Sequence, residues 1–287
     1  MPAWPFRLPD RPPFVLISHQ QAVGEKGMGL GVDACCAQHL GDRTEQQDRV
    51  AILPHPRVKG VAVAVVADGM GGHTGGALAA EQVVHTVRAN LANFSPSEDS
   101  PQKLIENSLL EAHAMIRAAR CMNEKDPHST AVLLVLQPGR VTWGHTGDSR
   151  FYRYQGDQLV FRSIDHSYVE HLIATGKINP EEALNHPHRN VLLTSLGGDE
   201  PPEMAFGEAT DLAEGDCLLL CSDGLWAYFS DAELGGVLAA FSAHEACEIL
   251  IQRARQRCGG MGDNVSLAVI KLKAAEAPKS RTQPSRP

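Results

Sequence analysis

In VAVAVVADGMGG, residues 61–72, an aspartate follows directly on a run of apolar residues and precedes a glycine-rich turn. An unbroken apolar run such as Val61–Ala67 is typical of a strand that is buried on both faces. Asp68 therefore lies where the strand leaves the core, partly removed from water. CLLLCSDGLW, residues 217–226, repeats this arrangement with Asp223, and GDNVSLAVI, residues 262–270, reverses it with Asp263 ahead of the strand.

The shared placement of these three aspartates indicates a metal site. Carboxylates that gather unpaired at the rim of a core are costly, because each loses hydration. A hard divalent cation prefers oxygen ligands and relieves that cost, so the pattern predicts a metal-dependent enzyme. Taken singly, each aspartate has a simpler explanation: Asp68 as a helix cap, and Asp263 as a turn residue. Independent turns need no common placement, and this favours the metal site.

The composition is that of a globular protein, with 43% hydrophobic residues, 21% charged residues and a formal net charge of −8. This charge argues against a nucleic-acid partner, since a general nucleic-acid binder needs a basic surface. No run reaches the ~18 apolar residues of a membrane span, and no signal peptide is evident. The sequence therefore predicts a cytoplasmic protein with no membrane partner. Its seven cysteines contain no Cys-x-x-Cys pair and indicate buried reduced thiols.

Hydrophobic periodicity predicts one globular domain, residues 26–273, between a disordered proline-rich arm, residues 1–25, and a polar tail, residues 274–287. Helices are predicted over residues 75–92, 102–122, 231–240 and 243–257, hairpins over 130–144 and 151–162, and a helical insert over 165–184. Strands joined by hairpins, with the helices grouped apart from them, favour antiparallel sheets and an α+β architecture.

Two further features bear on phosphate and metal binding. Arg43 stands among acids in GDRTEQQD, residues 41–48, and its planar guanidinium suits bidentate phosphate recognition. The alternative is a surface ion pair of Arg43 with Asp42 or Glu45. Gly69, which follows Asp68, allows a close backbone approach and could supply its carbonyl oxygen as a ligand.

In order along the chain, the motifs resemble those of the metal-dependent protein serine/threonine phosphatases, the protein phosphatase 2C family. The matching segments are Arg43 to Asp48, Asp68-Gly69-Met70-Gly71-Gly72, Ser129-Thr130-Ala131, Gly147-Asp148-Ser149-Arg150, Asp165-His166-Ser167, Ser222-Asp223-Gly224 and Gly262-Asp263-Asn264. The resemblance implies a four-layer αββα sandwich, in which helices flank two central antiparallel sheets. It also implies that residues 167–190 form a flap beside the substrate cleft.

The resemblance further implies which residues act. It makes Asp48, Asp68, Gly69 (through its carbonyl), Asp223 and Asp263 the ligands of a two-metal centre that takes Mn²⁺ or Mg²⁺. Arg43 corresponds to the phosphate-binding arginine of the family and, with Asp48, is counted as catalytic. Asp126 is a candidate ligand of a third, weaker metal. Asp148 is expected to have a structural role in a turn between strands.

The activity implied by the resemblance is hydrolysis of phosphoserine and phosphothreonine on proteins, by direct attack of a water that bridges the two metals. The expected partners are phosphorylated protein substrates and a kinase that acts on the same targets. Two residues depart from the family pattern. Gln47 stands where a glutamate is common, and Met70 stands where animal members carry a histidine, which leaves water, His73 or His166 as the proton donor.

Two alternatives to catalysis remain. The chain could be a catalytically weak family member that binds phosphoproteins or regulates other proteins, and Gln47 is the residue in favour of this. The complete set of acidic ligands argues against it. The second alternative is a metal site that only stabilises the fold. An EF-hand would place its ligands within one 12-residue loop, whereas these are spread from Asp48 to Asp263.

Overall fold

The computed structural model describes residues 15–22, 30–122 and 126–274. The described strands are β1 (Val15–Ala22), β2 (Leu30–His39), β3 (Arg49–Pro54), β4 (Ala62–Ala67), β5 (Gly69–Met70), β6 (His128–Ser129), β7 (Ala131–Gln137), β8 (Arg140–Thr146), β9 (Arg150–Gln155), β10 (Gln158–Arg162), β11 (Ala205–Ala209), β12 (Asp216–Cys221) and β13 (Val265–Ala274). The described helices are α1 (Gly72–Asn93), α2 (Pro101–Met122), α3 (Tyr168–Ala174), α4 (Pro180–Leu184), α5 (Asp223–Trp226), α6 (Asp231–Ala240) and α7 (Ala243–Arg257).

The strands form two large antiparallel sheets that face each other. One has six strands in the order β1-β2-β13-β12-β9-β10, and the other has five in the order β11-β8-β7-β4-β3. One apolar cluster lies between the sheets. A second joins the five-stranded sheet to α1 and α2, and a third joins the six-stranded sheet to α6 and α7. The structure thus has the four-layer αββα arrangement that the resemblance implies.

The apolar run that ends at Asp68 is explained by burial of β4 on both faces. Val63 and Val65 pack toward α1 and α2, while Ala64 and Val66 pack toward the opposite sheet. All four side chains are at most 1% exposed. A strand covered on both sides has no solvated face, so its sequence does not alternate between apolar and polar residues. Burial of each valine contributes about 1.5–3 kcal/mol.

The predicted hairpins and helices are confirmed. Strands β7 and β8 pair from Ala131↔Thr146 to Gln137↔Arg140 around the expected Pro138-Gly139 turn. Helices α6 and α7 have the predicted bounds, because each begins with a capping box in which a serine and the glutamate three residues later bond reciprocally to backbone N–H groups.

The structure differs from the expected N-terminal arm, residues 1–25, at Val15–Ala22. This segment forms β1 and pairs with β2 over eight residues, from Val15↔Gln38 to Ala22↔Gly31. Val15, Leu16 and Ile17 are good strand formers, and the pairing covers an edge of β2 that would otherwise be open. The other residues of the arm, and the tail beyond Ala274, lie outside the described residues. Strand β11 was also not predicted; it pairs with β8 at the edge of its sheet.

The helical insert consists of α3 and α4. Residues 185–204, which we call the return segment, connect α4 to β11. The side chain of Ser167 caps α3, and Asn179 forms a capping box with Glu182 at the start of α4. Within the described ranges, no helix combines the length and the hydropathy that a membrane span requires.

Candidate metal centre and active site

Strand register in the five-stranded sheet brings Asp48 beside Asp68. Strands β3 and β4 are antiparallel, and their register pairs Arg49 with Ala67. The residue before β3 and the residue after β4 therefore lie at the same edge of the sheet. The helix-cap alternative for Asp68 does not hold, because α1 begins at Gly72 with Gly71 as its N-cap and has no side-chain cap bond.

The six-stranded sheet brings Asp223 and Asp263 together in the same way. Strands β12 and β13 are antiparallel, with Cys221 opposite Leu267. The end of β12 and the start of β13 are thus adjacent, and Asp223 opens the short helix α5 directly beyond β12. Because the two sheets are stacked face to face, both pairs of acids lie at one rim of the sandwich.

This rim encloses a cavity of about 450 Å³. Its lining includes Asp68, Gly69, Asp223, Asp263 and Arg43, five of the residues expected to act. Asp48 lies beneath the cavity and is 1% exposed. The structure therefore gathers the two-metal residues expected from the resemblance, and Arg43, at one place.

The acidic side chains raise one another's pKa. Burial raises the pKa of Asp68 most strongly, and repulsion from Asp48, Asp223, Asp148 and Asp263 raises it further. The pKa of Asp48 and that of Asp223 are likewise raised, first by burial and then by the neighbouring carboxylates. Negative charge thus accumulates at this rim without an equivalent positive charge from the described residues.

The chemistry of this set fits a divalent cation. The donors are carboxylate oxygens and one glycine carbonyl, which hard cations prefer, and Oδ1 of Asp223 is buried with no hydrogen-bond partner. Within the described ranges, no group of three or more His, Cys, Asp or Glu side chains is already drawn together at the spacing of a metal site. Asp68, Asp148 and Asp223 line the cavity, and their carboxylates repel one another.

A serine holds Asp48 in place. Ser222 donates a hydrogen bond from Oγ to Asp48 Oδ2 at 2.7 Å and accepts one from the Ser266 backbone N–H at 3.0 Å. The Ser222 hydroxyl lowers the pKa of Asp48, against the larger effect of burial. Ser222 itself is fully buried. The serine before Asp223 is therefore part of the site through its contact with Asp48, which sequence spacing could not show.

Asn264 ties the Arg43 segment to the start of β13. Its side-chain Oδ1 accepts a hydrogen bond from the Gln47 backbone N–H at 2.7 Å. Its Nδ2 donates to the carbonyl oxygens of Leu40 at 2.7 Å and Glu45 at 3.1 Å. The residue is 4% exposed. One buried amide thus fixes three points of the loop that carries Arg43 into the cavity.

Arg43 forms an ion pair with Asp263, from Nη2 to Oδ2 at 2.6 Å. It does not form the surface pair with Asp42 or Glu45 that was the alternative. Asp42 is instead bound by Arg255, at 2.8 and 2.5 Å, and by the Gly262 backbone N–H. The Arg43 side chain is 59% exposed, so its guanidinium can turn from Asp263 to an incoming anion.

The turn after Asp68 requires glycine on both sides of a close backbone contact. A Cβ on Gly69 would overlap the carbonyl oxygen of Gly76, and a Cβ on Gly76 would overlap that of Gly69. The two glycines let the first turn of α1 pack directly against the Asp68-Gly69 segment, which gives the cavity a backbone wall.

Asp126, the candidate third-metal ligand, is engaged in ion pairs. Its Oδ1 lies 2.5 Å from Nε of Arg120 and 3.2 Å from Nε2 of His128. The Asp126 side chain is 62% exposed and is not in the lining of the cavity. Its assignment to a third metal stays a prediction.

Asp148 is in the site, although a purely structural role was expected for it. It follows β8, precedes β9 and lines the cavity with Asp68 and Asp223. Burial and then repulsion from Asp223 raise its pKa well above the ordinary value. In the sequence Asp148 also stands between two strands beside a glycine, a setting that a turn aspartate shares.

His166, one of the candidate proton donors, is held against a second histidine and the backbone. His166 is stacked on His145 with ring centroids 4.7 Å apart, and its Nδ1 accepts a hydrogen bond from the Gly147 backbone N–H. It does not line the cavity, whereas Met70 does. The side chain of His73 lies outside the described part of the chain.

Comparison with known proteins identifies the family. The model of the protein phosphatase 2C family matches residues 35–260. The chain is 31% identical over 215 residues to the serine/threonine phosphatase stp of Listeria innocua, covering 72% of this chain and 83% of that protein. The crystal structure of serine/threonine phosphatase Stp1 from Staphylococcus aureus matches with a TM-score of 0.76 and 25% identity, over 89% of this chain and 98% of the other.

A further solved structure bears on the metals. The catalytic domain of the serine/threonine protein phosphatase PstP, in complex with two manganese ions, matches with a TM-score of 0.68 and 25% identity, over 91% of this chain and 98% of the other. The sandwich, its acidic rim and these relatives define a protein phosphatase. The chain belongs to the protein phosphatase 2C family of protein serine/threonine phosphatases.

Proposed function

We propose that the protein hydrolyses phosphoserine and phosphothreonine on protein substrates, with two Mn²⁺ or Mg²⁺ ions at the acidic rim. The observation that carries the proposal is the gathering of Asp68, Asp223, Asp263 and Arg43 around one cavity, above the buried Asp48. When bound, the two cations supply the Lewis acidity that activates a water between them for direct attack on phosphorus.

The residues of the chain have distinct roles in this proposal. Asp68, Asp223, Asp263 and the carbonyl of Gly69 hold the cations, and Asp48, oriented by its hydrogen bond from Ser222, completes the ligand set. Arg43 leaves its pair with Asp263 and binds two phosphoryl oxygens through its planar guanidinium. A guanidinium in that position stabilises the charge that develops as the phosphoryl group is transferred.

Cysteine chemistry is not needed for this reaction. Cys221 is close to Asp223 in sequence, but it packs in the cluster between the six-stranded sheet and α7 and is fully buried. Burial raises the pKa of its thiol, so the nucleophilic thiolate is disfavoured. The neighbour that lines the cavity is the carboxylate, which supports attack by water.

The test is turnover that depends on both metal and ligand residues. The chelator-treated protein should leave p-nitrophenyl phosphate and a phosphothreonine peptide intact, and added Mn²⁺ or Mg²⁺ should restore hydrolysis of both. Asp223→Asn should abolish turnover in a folded protein, and Asp157→Asn, in the β9–β10 turn, should match wild type. Hydrolysis that is indifferent to chelator, or a fully active Asp223→Asn, would overturn the proposal. Binding of the phosphopeptide without any turnover would favour the alternative of a phosphoprotein-binding module.

The third metal and the partners belong to the same proposal. Asp126 is the proposed ligand of a third, weaker site. Because it must leave Arg120 and His128 to bind a cation, Asp126→Asn should change only the weakest phase of a Mn²⁺ titration. The physiological substrates are proposed to be proteins phosphorylated by a partner serine/threonine kinase.

A further inference from the structure

A second cavity opens directly from the acidic rim. Its volume is about 460 Å³, and it shares three lining residues with the first cavity: Asp148, Asn190 and Asp223. One wall comes from the insert and the other from α5 and the segment after it. We call this cavity the flap groove. Its continuity with the proposed phosphate site matters, because the chain on either side of a bound phosphoresidue must leave that site along the adjoining surface.

The insert wall of the flap groove is largely aliphatic. Ile173 from α3 and Pro180, Ala183 and Leu184 from α4 line it. Leu184 is 73% exposed, although it is a large apolar side chain at the end of a helix. Together these four residues give the insert side of the groove a continuous apolar lining.

The opposite wall contains a tryptophan held in a fixed position. Trp226 donates a hydrogen bond from Nε1 to the Asp148 carbonyl oxygen at 2.9 Å. The guanidinium of Arg150 stacks over its ring, with Cζ 3.6 Å from the ring centroid. Arg150 is in turn held by Asp165 through two hydrogen bonds at 2.8 and 2.7 Å. A rigid, partly exposed aromatic ring is the kind of surface that anchors a bound side chain at low entropic cost.

Two of the arginines in the flap groove are paired with acids of the same lining. Arg150 is neutralised by Asp165, and Arg162 is paired with Asp231 at 3.1 Å. Among the described residues, no ion pair engages Arg189 or Glu170, and these two have opposite signs. Asp148 and Asp223 also line the groove, so its lining holds more acids than bases and does not favour an acidic side chain, whereas its aliphatic wall and its tryptophan favour an apolar one.

The short distance between the groove and the acidic rim limits how far along a substrate the recognised side chain can lie from the phosphoresidue. Asp223 and Trp226 are three residues apart at the two ends of α5, which separates their Cα atoms by about 5 Å along the helix. In an extended peptide, the nearest side chain on the same face is two residues away, at about 7 Å. A side chain two residues from the phosphoresidue is thus the first on the same face that can enter a groove adjoining the site.

We propose that the flap groove selects phosphoprotein segments that carry a bulky aliphatic side chain two residues from the phosphothreonine or phosphoserine. This inference rests on the proposed function, since it assigns the substrate class of the same site. Leu184 and Ile173 act as specificity-determining residues, and Trp226 forms the floor against which the substrate side chain packs.

The experiment compares phosphothreonine peptides of equal length with the Mn²⁺-loaded protein. One peptide has leucine two residues before the phosphothreonine, one has it two residues after, and the reference has alanine at both positions. We expect kcat/KM to favour one leucine peptide over the reference by about tenfold, equivalent to about 1.4 kcal/mol. That is at the lower end of what burial of a leucine side chain contributes.

Matched variants locate the effect. Leu184→Ser and Ile173→Ser should each reduce the leucine selectivity to about threefold or less, because part of the apolar wall is lost. Leu193→Ser is the control. Like Leu184, Leu193 is an exposed leucine, at 53% exposure, but it lies in the return segment and lines neither cavity. It should keep the wild-type selectivity. Thermal unfolding of each variant checks that the fold is intact.

The outcomes separate this inference from the function on which it rests. A wild-type protein that hydrolyses p-nitrophenyl phosphate but treats the three peptides alike overturns the groove assignment alone. A preference for aspartate over leucine at that position also overturns it, because Arg189 would then dominate recognition. Unchanged leucine selectivity in both Leu184→Ser and Ile173→Ser likewise overturns the groove assignment. A wild-type protein with no metal-dependent hydrolysis of p-nitrophenyl phosphate overturns the proposed function, and this inference with it.

Discussion

Replacement of Asn264 by alanine tests whether one buried amide organises the active site. The substitution removes three hydrogen bonds, from the Gln47 N–H and to the Leu40 and Glu45 carbonyls, at 2.7, 2.7 and 3.1 Å. A typical hydrogen bond contributes about 0.5–1.5 kcal/mol. Since the three bonds share one side chain and one loop, they are not independent. We therefore expect a loss of about 2–4 kcal/mol in the free energy of unfolding.

The same change should affect catalysis through Arg43. Without Asn264 the loop that carries Arg43 loses three of the hydrogen bonds that position it, so KM for p-nitrophenyl phosphate should rise by about tenfold, equivalent to 1.4 kcal/mol. Asn264→Asp keeps the acceptor for the Gln47 N–H but places a carboxylate oxygen against the Leu40 and Glu45 carbonyls, so it should destabilise the fold at least as much as Asn264→Ala. Urea denaturation in chelator gives the stability, and steady-state kinetics with saturating Mn²⁺ gives KM.

Asn93→Ala is the matched control for stability. The Asn93 side chain makes one local bond, to the Ala89 carbonyl oxygen on an exposed helix surface, and its replacement should change the free energy of unfolding by at most about 0.5 kcal/mol. An Asn264→Ala variant that is as stable as Asn93→Ala and has a wild-type KM would refute the reasoning that this amide holds the Arg43 loop.

Three more predictions concern charge at or near the site. Arg43→Ala should raise KM for phosphosubstrates while Mn²⁺ binding, measured by calorimetry, is retained; an unchanged KM would return Arg43 to a purely surface role. In chelator, wild-type stability should fall as the pH rises from about 4 to about 6, because the raised pKa of Asp223 means that folding favours its protonated form. Asp223→Asn should therefore be more stable than wild type at pH 8 in chelator and should gain less from Mn²⁺; a less stable variant in the thermal melt would contradict this. Burial lowers the pKa of His166 to about 4. The unfolded chain therefore binds a proton at this residue at a higher pH than the folded protein does, and the free energy of unfolding decreases as the pH falls below about 6.5. His166→Gln should be less sensitive than wild type to acid between pH 6.5 and 4.5, and equal sensitivity in urea titrations would argue against a neutral buried ring.

Local features of the sequence predicted much of the fold because they act over short distances. Helices α6 and α7 were predicted with correct bounds, since each cap is complete within four residues. The expected disorder over residues 1–25 did not anticipate β1, whose partner β2 begins later in the sequence, at Leu30. Strand pairing of this kind depends on an available edge, and local composition does not report one.

Local sequence features likewise predicted some residues of the candidate site and not others. Asp68, Asp223 and Asp263 were recognisable because each adjoins an apolar strand, and the motif order added Asp48 and Arg43. Asp148 has a similar setting, yet its place in the cavity follows from the strands on either side of it, which belong to different sheets. No pattern within the motif distinguishes an aspartate that stabilises a turn from one that faces a shared cavity.

Taken alone, the sequence determined which residues stand at the ends of the buried strands. A strand that is buried on both faces has consecutive apolar residues, so the position where the apolar run stops marks the end of the strand. The sequence also determined the family, through motifs whose order survives without any coordinates. Only the tertiary structure decided that Asn264 and Ser222 hold the loop and the carboxylate, and that the insert and Trp226 enclose a groove beside the acidic rim. These contacts join residues that are up to 224 positions apart. Their geometry is set by antiparallel register and by the stacking of two sheets, neither of which any local stretch of sequence encodes.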